Sequence, residues 1–141
     1  MADVLTKKQR SYCMSRIQGA NTQPELILRR ALSAEGIRGY RIHYRVPGRP
    51  DIVFPRKRIA VFIDGCFWHK CPRCSIRTPI ENRSYWCKKI ANNVRRDKSV
   101  TARLRKSGWK VIRVWEHEVK RNLNNCCLRI CSIVRARKFQ R

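Results

Sequence analysis

Eleven consecutive residues of this chain gather side chains that could perform chemistry. The segment 64–74 contains a carboxylate, an imidazole, three thiols and two adjacent large aromatics. It directly follows the apolar run 59–63, whose length and composition predict a buried strand. Reactive groups are therefore predicted at the end of a strand.

The three thiols of this segment, Cys66, Cys71 and Cys74, have the spacing of metal ligands. Cys71 and Cys74 form a Cys-x-x-Cys knuckle, which can offer two thiolates to one tetrahedral zinc ion. Two alternatives are buried thiols acting as small apolar side chains, and a disulfide or redox pair. Proline and arginine between the cysteines suit a core poorly, and a disulfide needs an oxidising compartment. Zinc is the favoured interpretation, with a fourth ligand from elsewhere in the chain.

The charge of the chain points to a polyanionic partner. Its 141 residues include 34 lysines and arginines against 9 aspartates and glutamates, a net charge of +25 at pH 7. Such an excess repels itself in a compact molecule, which favours a phosphate-bearing polymer over a merely solvated basic surface. Membrane binding is disfavoured, because no long apolar or cleanly amphipathic lysine-rich segment is present.

No repeat or linker divides the sequence, so residues 1–141 are predicted to form one domain. It would include a basic N-terminal segment, about 1–20, and a basic C-terminal helix, about 118–141. The first ten residues lack the apolar stretch of a signal peptide, which predicts a cytoplasmic protein. The remaining cysteines are then predicted to be free thiols: Cys13, Cys87, Cys126, Cys127 and Cys131.

The periodicity of apolar residues predicts the elements that position the reactive segment. Helices are predicted over 6–18, 23–35, 78–106 and 118–138, with capping boxes at Thr22 and Thr78. Strands are predicted over 40–46, 51–54, 59–63 and 109–115. The strands 51–54 and 59–63, joined by a tight turn, are expected to form an antiparallel hairpin.

Two carboxylates would stand at adjacent strand ends. Asp51 begins one strand, Asp64 follows the next, and Glu25 can approach from helix 23–35. Carboxylates grouped in this way bind Mg²⁺, which can polarise a phosphodiester and activate water. Turn-forming aspartates and a helix-capping glutamate are equally compatible with the composition.

The aromatic residues offer a further nucleic-acid signal. Adjacent Phe67 and Trp68 are usually core anchors, but beside metal ligands in a basic chain they favour insertion between bases. On helix 78–106 the spacing of Trp86, Lys89 and Asn93 places them on one polar face.

A series of ordered motifs runs along the chain to Glu118. They are Arg10-Ser11 with Met14 and Ile17, Thr22-x-Pro24-Glu25, Pro47-Gly48-Arg49-Pro50-Asp51, Gly65-Cys66-Phe67-Trp68-His69, Trp86, Asn92-Asn93-Val94 with Arg96-Asp97, and Gly108-Trp109 to Trp115-Glu116. Together they resemble the very short patch repair (Vsr) DNA mismatch endonuclease family, and their order is more specific than any single spacing.

The resemblance implies an α/β fold of the restriction-endonuclease-like PD-(D/E)xK superfamily, a mixed central sheet flanked by helices, with a structural zinc. It also implies an enzyme that uses Mg²⁺ to nick one DNA strand at T·G mismatches left by deamination of 5-methylcytosine. The expected partners are double-stranded DNA with that mismatch, mismatch-repair proteins and a companion cytosine-5 methyltransferase. We expect a monomer in the bacterial cytoplasm, associated with the nucleoid.

By the same resemblance, Asp51 would bind Mg²⁺ directly and Glu25 would hold metal-bound water. His69 would be the general base or would orient the attacking water. Two positions depart from the family pattern: Ile63 can offer only its backbone carbonyl to the metal, and Asp64 stands where an imidazole can occur, which makes it a candidate ligand.

The resemblance further implies that Phe67, Trp68 and Trp86 wedge between bases, with Met14 reaching in from the N-terminal segment. The residues facing the mismatched pair would be Lys89 and Asn93. The zinc ligands would be Cys66, Cys71, Cys74 and His117.

Two other functions stay open. One is a homing or restriction-type nuclease on the same fold, and the other is a zinc-stabilised protein that binds nucleic acid without cutting it. Replacement of Asp51 by Asn separates enzyme from binding protein, since it should abolish nicking and leave binding.

Overall fold

A computed structural model describes residues 22–66, 71, 74 and 80–140. Its elements in chain order are helix α1 (Gln23–Ala34), strands β1 (Ile52–Phe54) and β2 (Ile59–Asp64), helix α2 (Arg83–Lys106), strand β3 (Lys110–Trp115), and helices α3 (Glu116–Arg121) and α4 (Leu123–Ala136). The predicted helix 6–18 lies outside the described residues. None of the described helices is long and apolar enough to cross a membrane.

The three strands form one mixed sheet in the order β1-β2-β3. β1 runs antiparallel to β2, with Ile52 opposite Val61, so the predicted hairpin is confirmed. β3 runs parallel to β2, with Asp64 opposite Trp115. Parallel neighbours need a crossover connection, which here includes the long helix α2.

The side chains of β2 alternate between two cores, as the two-residue period of a strand requires. Ile59 and Val61 face the larger core, which includes Leu28 and Leu32 of α1 and the buried face of α4. Ala60 and Phe62 face the smaller core with Leu104 of α2. Burial of β2 on both faces was predicted from its continuous apolar run and is confirmed. The sheet is therefore a middle layer, with α2 on one face and the other helices on the opposite face.

Gly48 fixes the segment that leads into Asp51. Its φ is +83°, and a Cβ there would overlap Cγ1 of Val100 and lie 3.3 Å from two atoms of the Phe62 ring. Only glycine meets both requirements, because it adopts positive φ without penalty and has no Cβ. The chain therefore lies directly on the smaller core just before the predicted catalytic aspartate.

The turn between β1 and β2 is held by residues from the other end of the described chain. The Arg137 guanidinium donates from Nε to the carbonyl of Lys57 at 2.7 Å and from Nη2 to the carbonyl of Gly108 at 2.6 Å. Lys57 Nζ in turn donates to the carbonyl of Val134 at 2.5 Å. These bonds join the hairpin, the end of α2 and the end of α4.

The predicted strand 40–46 is wrong beyond its first residues. Arg41 forms an isolated bridge with Val53, exchanging hydrogen bonds of 2.7 and 2.9 Å. The pairing then ends, because His43 has a φ of 56°, which turns the chain out of the extended conformation. The alternating pattern thus described an exposed loop, and residues 42–45 are all exposed.

Two helix boundaries also differ from prediction. The predicted helix 118–138 is two helices, separated at Asn122, whose φ of −129° and ψ of 47° interrupt the helical backbone. The long helix begins at Arg83 and not at 78, since Asn82 adopts a left-handed conformation before it. Thr78 itself lies outside the described residues.

Candidate active site and metal centre

Asp51 and Ile63 meet where the hairpin opens. Because β1 and β2 are antiparallel, the start of β1 lies beside the end of β2. There the Asp51 carboxylate accepts a 2.6 Å hydrogen bond from the backbone N–H of Ile63. The N–H and C=O of one strand residue leave on the same edge, so the Ile63 carbonyl also projects on the Asp51 side.

Glu25 is a buried carboxylate, only 3% exposed, in the first turn of α1. Its two oxygens accept hydrogen bonds from the Thr22 hydroxyl at 3.2 Å and from Arg29 Nη2 at 2.8 Å. The helix start has no side-chain capping hydrogen bond, so Thr22 supports the carboxylate and not the backbone. Glu25 also lies within hydrogen-bonding reach of Asp51.

Burial, together with the negative charges of Glu25 and Asp64, raises the pKa of Asp51 to about 7, against the lowering effect of the Ile63 N–H. Among the described residues, Glu25 pairs with Arg29 and Asp64 pairs with Arg113, whereas Asp51 forms no ion pair. A half-buried carboxylate that is flanked by two others and has no cationic partner among the described residues is a favourable place for a metal ion.

The fit of this site to Mg²⁺ rests on its donor atoms. The Asp51 carboxylate and the Ile63 carbonyl are hard oxygen ligands, which Mg²⁺ prefers. Asp64 is 7% exposed, and one of its carboxylate oxygens is already engaged, because Oδ1 accepts a hydrogen bond from Arg113 Nη1 at 2.9 Å. Direct ligation by Asp64 stays a prediction, and His69 lies outside the described residues.

A cleft of about 840 Å³ opens beside these carboxylates. Glu25 and Asp51 contribute its acidic side, while Arg29, Arg45 and Arg49 contribute cations. Carboxylates next to several arginines would suit a phosphodiester, since the arginines attract the backbone and the acids can hold the metal. The cleft therefore combines carboxylates that can hold a metal ion with cations that can bind the phosphate backbone.

A second group of ligands lies two residues beyond the paired ends of β2 and β3. Because Asp64 is opposite Trp115, the two chains leave the sheet side by side towards Cys66 and His117. The backbone N–H of Cys71 donates a 2.9 Å hydrogen bond to the carbonyl of Cys66. The parallel register thus supplies the distant fourth residue that local spacing could not identify.

The ligand atoms of Cys66, Cys71, Cys74 and His117 all lie within 4.8 Å of one another. His117 Nδ1 is 3.4 Å from the first thiol, 3.5 Å from the second and 3.3 Å from the third. In a tetrahedral zinc site, a sulfur and a nitrogen ligand stand about 3.6 Å apart, given their usual bond lengths to the metal. The arrangement fits a Cys₃His metal site.

The Cys66 thiol holds its proton at neutral pH when no metal is bound. Burial, together with the neighbouring thiols, raises the pKa of the Cys66 thiol to about 12, against the lowering effect of His117. A metal ion reverses this preference, because it binds the thiolate and displaces the proton. The remaining described cysteines, Cys87, Cys126, Cys127 and Cys131, are free thiols as predicted; Cys13 lies outside the described residues.

The predicted DNA-reading residues of α2 share an open face. Trp86 is half-buried and packs edge to face on Tyr85, with ring centroids 5.1 Å apart. Lys89 Nζ lies 5.8 Å from the centroid of the Tyr85 ring, and Asn93 Oδ1 accepts a 3.1 Å hydrogen bond from Arg96. Met14, Phe67 and Trp68 lie outside the described residues.

Sequence reasoning missed the arginines that fix the carboxylates. Arg29 stands four residues after Glu25 on one helix, a spacing that indicates an ion pair. Arg113 interrupts the apolar strand β3, and a cation between buried Ile112 and Val114 is a signal that its charge has a partner. The arginines of the cleft loop gave no such signal, since in a chain this basic they look like solvated surface.

Comparison with known proteins agrees with this geometry. The family model for the DNA mismatch endonuclease Vsr matches residues 2–74. The type II nicking enzyme V.NmeDIP of Neisseria meningitidis serogroup C is 38% identical over 98% of this chain and 97% of its own length. V.NaeI of Lentzea aerocolonigenes, also a type II nicking enzyme, is 46% identical over 77% of this chain and 68% of its own.

The DNA mismatch endonuclease Vsr of Escherichia coli K12 is 38% identical over 82% of this chain and 74% of its own length. The family model and the relatives over nearly the whole chain therefore agree with the structure. Its mixed sheet carries acidic groups and a Cys₃His cluster at one edge. The chain therefore belongs to the DNA mismatch endonuclease Vsr family and is an endonuclease of that family.

Proposed function

We propose that this protein nicks one strand of double-stranded DNA at T·G mismatches that arise by deamination of 5-methylcytosine, with Mg²⁺ as cofactor. The observation that carries the proposal is the position of Asp51. Its carboxylate is held by the Ile63 N–H, lies beside Glu25 and borders a cleft with arginines on its rim. Full-length similarity to nicking and mismatch endonucleases supports the same reaction.

In this proposal each residue has a defined task. Asp51 and the Ile63 carbonyl would hold Mg²⁺, with Asp64 as a further candidate ligand, on a fold of the PD-(D/E)xK type. When bound, Mg²⁺ supplies an electrophile for the phosphodiester and lowers the pKa of water. Glu25 orients water through an oxygen fixed by Arg29, and His69 accepts the proton or orients the nucleophile.

The DNA would be held by electrostatic attraction, and the mismatch would be recognised by side chains that insert into the duplex. Arg29, Arg45 and Arg49 attract the phosphate backbone into the cleft. Trp86, together with Phe67, Trp68 and Met14, would enter the duplex near the mismatch, while Lys89 and Asn93 contact the mismatched pair. A T·G pair is less stable than a matched pair, so insertion costs less there and favours the mismatch.

A structural zinc bound by Cys66, Cys71, Cys74 and His117 would hold the loop that carries His69, Phe67 and Trp68. In this proposal the zinc would be structural and not catalytic, because four protein ligands leave no coordination position for water or substrate. Membership in a mismatch endonuclease family supports mismatch-repair proteins and a cytosine-5 methyltransferase as partners, in the bacterial cytoplasm.

The deciding experiment uses end-labelled duplexes that differ only in one base pair: T·G, T·A or C·G. Wild-type protein with Mg²⁺ should nick one strand of the T·G duplex and leave the others intact. Asp51→Asn should reduce nicking by at least about a thousandfold, because it weakens the metal site, and should retain duplex binding.

The alternatives give different results. Equal cutting of matched and mismatched duplexes would indicate a homing or restriction-type nuclease. Binding of every duplex without Mg²⁺-dependent cleavage would indicate a zinc-stabilised binding protein. Glu116→Gln serves as the matched control, since it removes an exposed acid that pairs only at 3.7 Å with Lys120, outside the cleft.

A further inference from the structure

Arg113 makes an unusually complete set of contacts between the sheet and helix α2. Its Nε donates to the Thr101 hydroxyl at 2.8 Å, Nη1 to Asp64 at 2.9 Å and Nη2 to the backbone carbonyl of Asp97 at 3.3 Å. Every nitrogen of the guanidinium is thus engaged, two on α2 and one at the end of β2. The side chain is a rigid bridge and not a surface charge.

The face of the guanidinium is also occupied. Its central carbon lies 4.1 Å from the centroid of the Phe62 ring, in the geometry of a cation–π contact. A planar fork that donates in three directions while stacking on an aromatic ring is specific to arginine, since lysine offers a compact charge without a plane. The position therefore demands more than a positive charge.

The bridge ends at residues on which the proposed reaction depends. Asp64 terminates β2 close enough to Asp51 for its charge to act on that carboxylate. Asp97 and Thr101 belong to α2, the helix that carries the proposed mismatch contacts Trp86 and Lys89. A displacement of α2 against the sheet would pull on Asp64 through the guanidinium.

We propose that Arg113 is a positioning residue for strand nicking: it fixes the Asp64 carboxylate beside Asp51 and ties it to the DNA-contacting helix α2. The inference rests on the proposed function and extends it to a residue outside the proposed metal ligands and DNA contacts. It assigns to Arg113 the coupling between the recognition helix and the acidic end of β2.

The test compares three substitutions in single-turnover nicking of the T·G duplex with saturating protein. Arg113→Lys keeps the charge and loses the fork, Thr101→Val removes one acceptor at nearly constant volume, and Lys110→Met is the control. Lys110 is an exposed cation on the same strand. Arg113→Lys should slow nicking at least tenfold and Thr101→Val several-fold, whereas Lys110→Met should match wild type.

Binding separates positioning from general damage. Affinity for the T·G duplex, measured by fluorescence anisotropy without added divalent metal, should stay within twofold of wild type for all three variants. The inference would be overturned if Arg113→Lys nicked at the wild-type rate. It would also be overturned if its rate and its affinity fell by the same factor.

A metal-free measurement tests the bridge independently of activity. Urea unfolding of Arg113→Met, Asp64→Asn and the double variant should show that the two single effects on the unfolding constant do not multiply, because each removes the same contact. Independent effects would overturn the inference even if the variants nick slowly. If wild type itself fails to nick, the proposed function fails, and this cycle still decides whether Arg113 fixes Asp64.

Discussion

Asp51 is the residue where folding and the proposed reaction make opposite demands. Burial and two neighbouring carboxylates favour its protonated form, and its pKa rises from 3.8 to about 7. Metal binding requires the ionised form. The metal-free protein therefore carries an unfavourable charge at neutral pH that a bound cation would compensate.

The pH dependence of stability should expose this charge. Since the pKa is raised on folding, the folded chain retains a proton that the unfolded chain has lost, and stability falls as pH rises from about 4 through 7. Asp51→Asn, which cannot ionise, should therefore be more stable than metal-free wild type at pH 8, by about 1–3 kcal/mol after solvent screening. The difference should shrink towards pH 5.

Urea unfolding at pH 5 and pH 8, without added divalent metal, measures this difference. Glu116→Gln should show no such pH-dependent gain. An Asp51→Asn variant that is less stable than wild type at pH 8 would contradict the account of Asp51 as a strained charge.

The cysteine cluster should contribute stability only when it holds metal. Chelation, or replacement of Cys71 by Ser, should lower the melting temperature by about 10 °C, corresponding to a loss of about 3 kcal/mol in a domain of this size. Differential scanning calorimetry measures the shift, and elemental analysis should find one zinc per chain. Cys87→Ser is the matched control, because this thiol is exposed and outside the cluster. Protein purified without chelator and free of zinc would refute the assignment.

At the scale of elements, helix α2 is both crossover and recognition surface. It has 24 residues, of which nine are lysine or arginine and one is acidic, and only Ile90 and Leu104 are buried. A helix of this length extends about 36 Å, roughly one turn of duplex DNA. Because Ile90 and Leu104 are its only buried residues, most of the helix surface, including exposed Lys89, is available to a ligand.

Replacement of Trp86 by Ala should affect specificity more than affinity. Loss of one stacking side chain is worth about 1–3 kcal/mol, so nicking of the T·G duplex should fall by about one to two decades. Binding to a matched duplex should change little. Phe139→Ala is a suitable control, since this exposed aromatic lies beyond α4. Undiminished nicking by Trp86→Ala would remove Trp86 from the set of wedges.

The combined neutralisation of the exposed Arg135 and Lys138, with Arg137 retained because its guanidinium holds the β1–β2 turn, should have the opposite effect. It should weaken binding to matched and mismatched duplexes alike, because phosphate contacts carry no sequence information. Filter binding on both duplexes gives the comparison, and a selective loss for the mismatched duplex would assign part of the specificity to this basic region.

The sequence predicted elements whose apolar pattern matches their burial. The run 59–63 is buried on both faces as β2, and Asp51 lies beside the end of that strand, as the predicted hairpin implied. The alternating pattern of residues 40–46 predicted a strand that does not form. The left-handed backbone at His43 ends the pairing, and hydrophobic periodicity does not reveal such a backbone conformation. The ion pair of Arg113 with Asp64 joins residues 49 apart, and such pairing depends on the parallel register of β2 and β3.

At the scale of the whole molecule, the net charge of +25 should dominate binding to undamaged DNA. Each phosphate that the protein neutralises releases condensed counterions, so affinity should fall with a log–log salt slope of about −5 if about six phosphates are contacted. Fluorescence anisotropy between 50 and 300 mM salt, roughly the range where such slopes are measured, gives the value. A flat dependence would mean that the basic residues do not form the DNA interface.

The bonds between the β1–β2 turn and residues 134–137 have a consequence for the order of folding. Arg137 and Lys57 are 80 residues apart, so their contact closes a long loop and should form after the main barrier to folding has been crossed. Arg137→Ala should then accelerate unfolding about 5- to 30-fold, as expected for a loss of about 1–2 kcal/mol, with little effect on the refolding rate. Stopped-flow kinetics beside Lys138→Ala would show it. The hairpin that presents Asp51 would thus form early in folding, and the arginine that locks its turn would determine how long the native state persists.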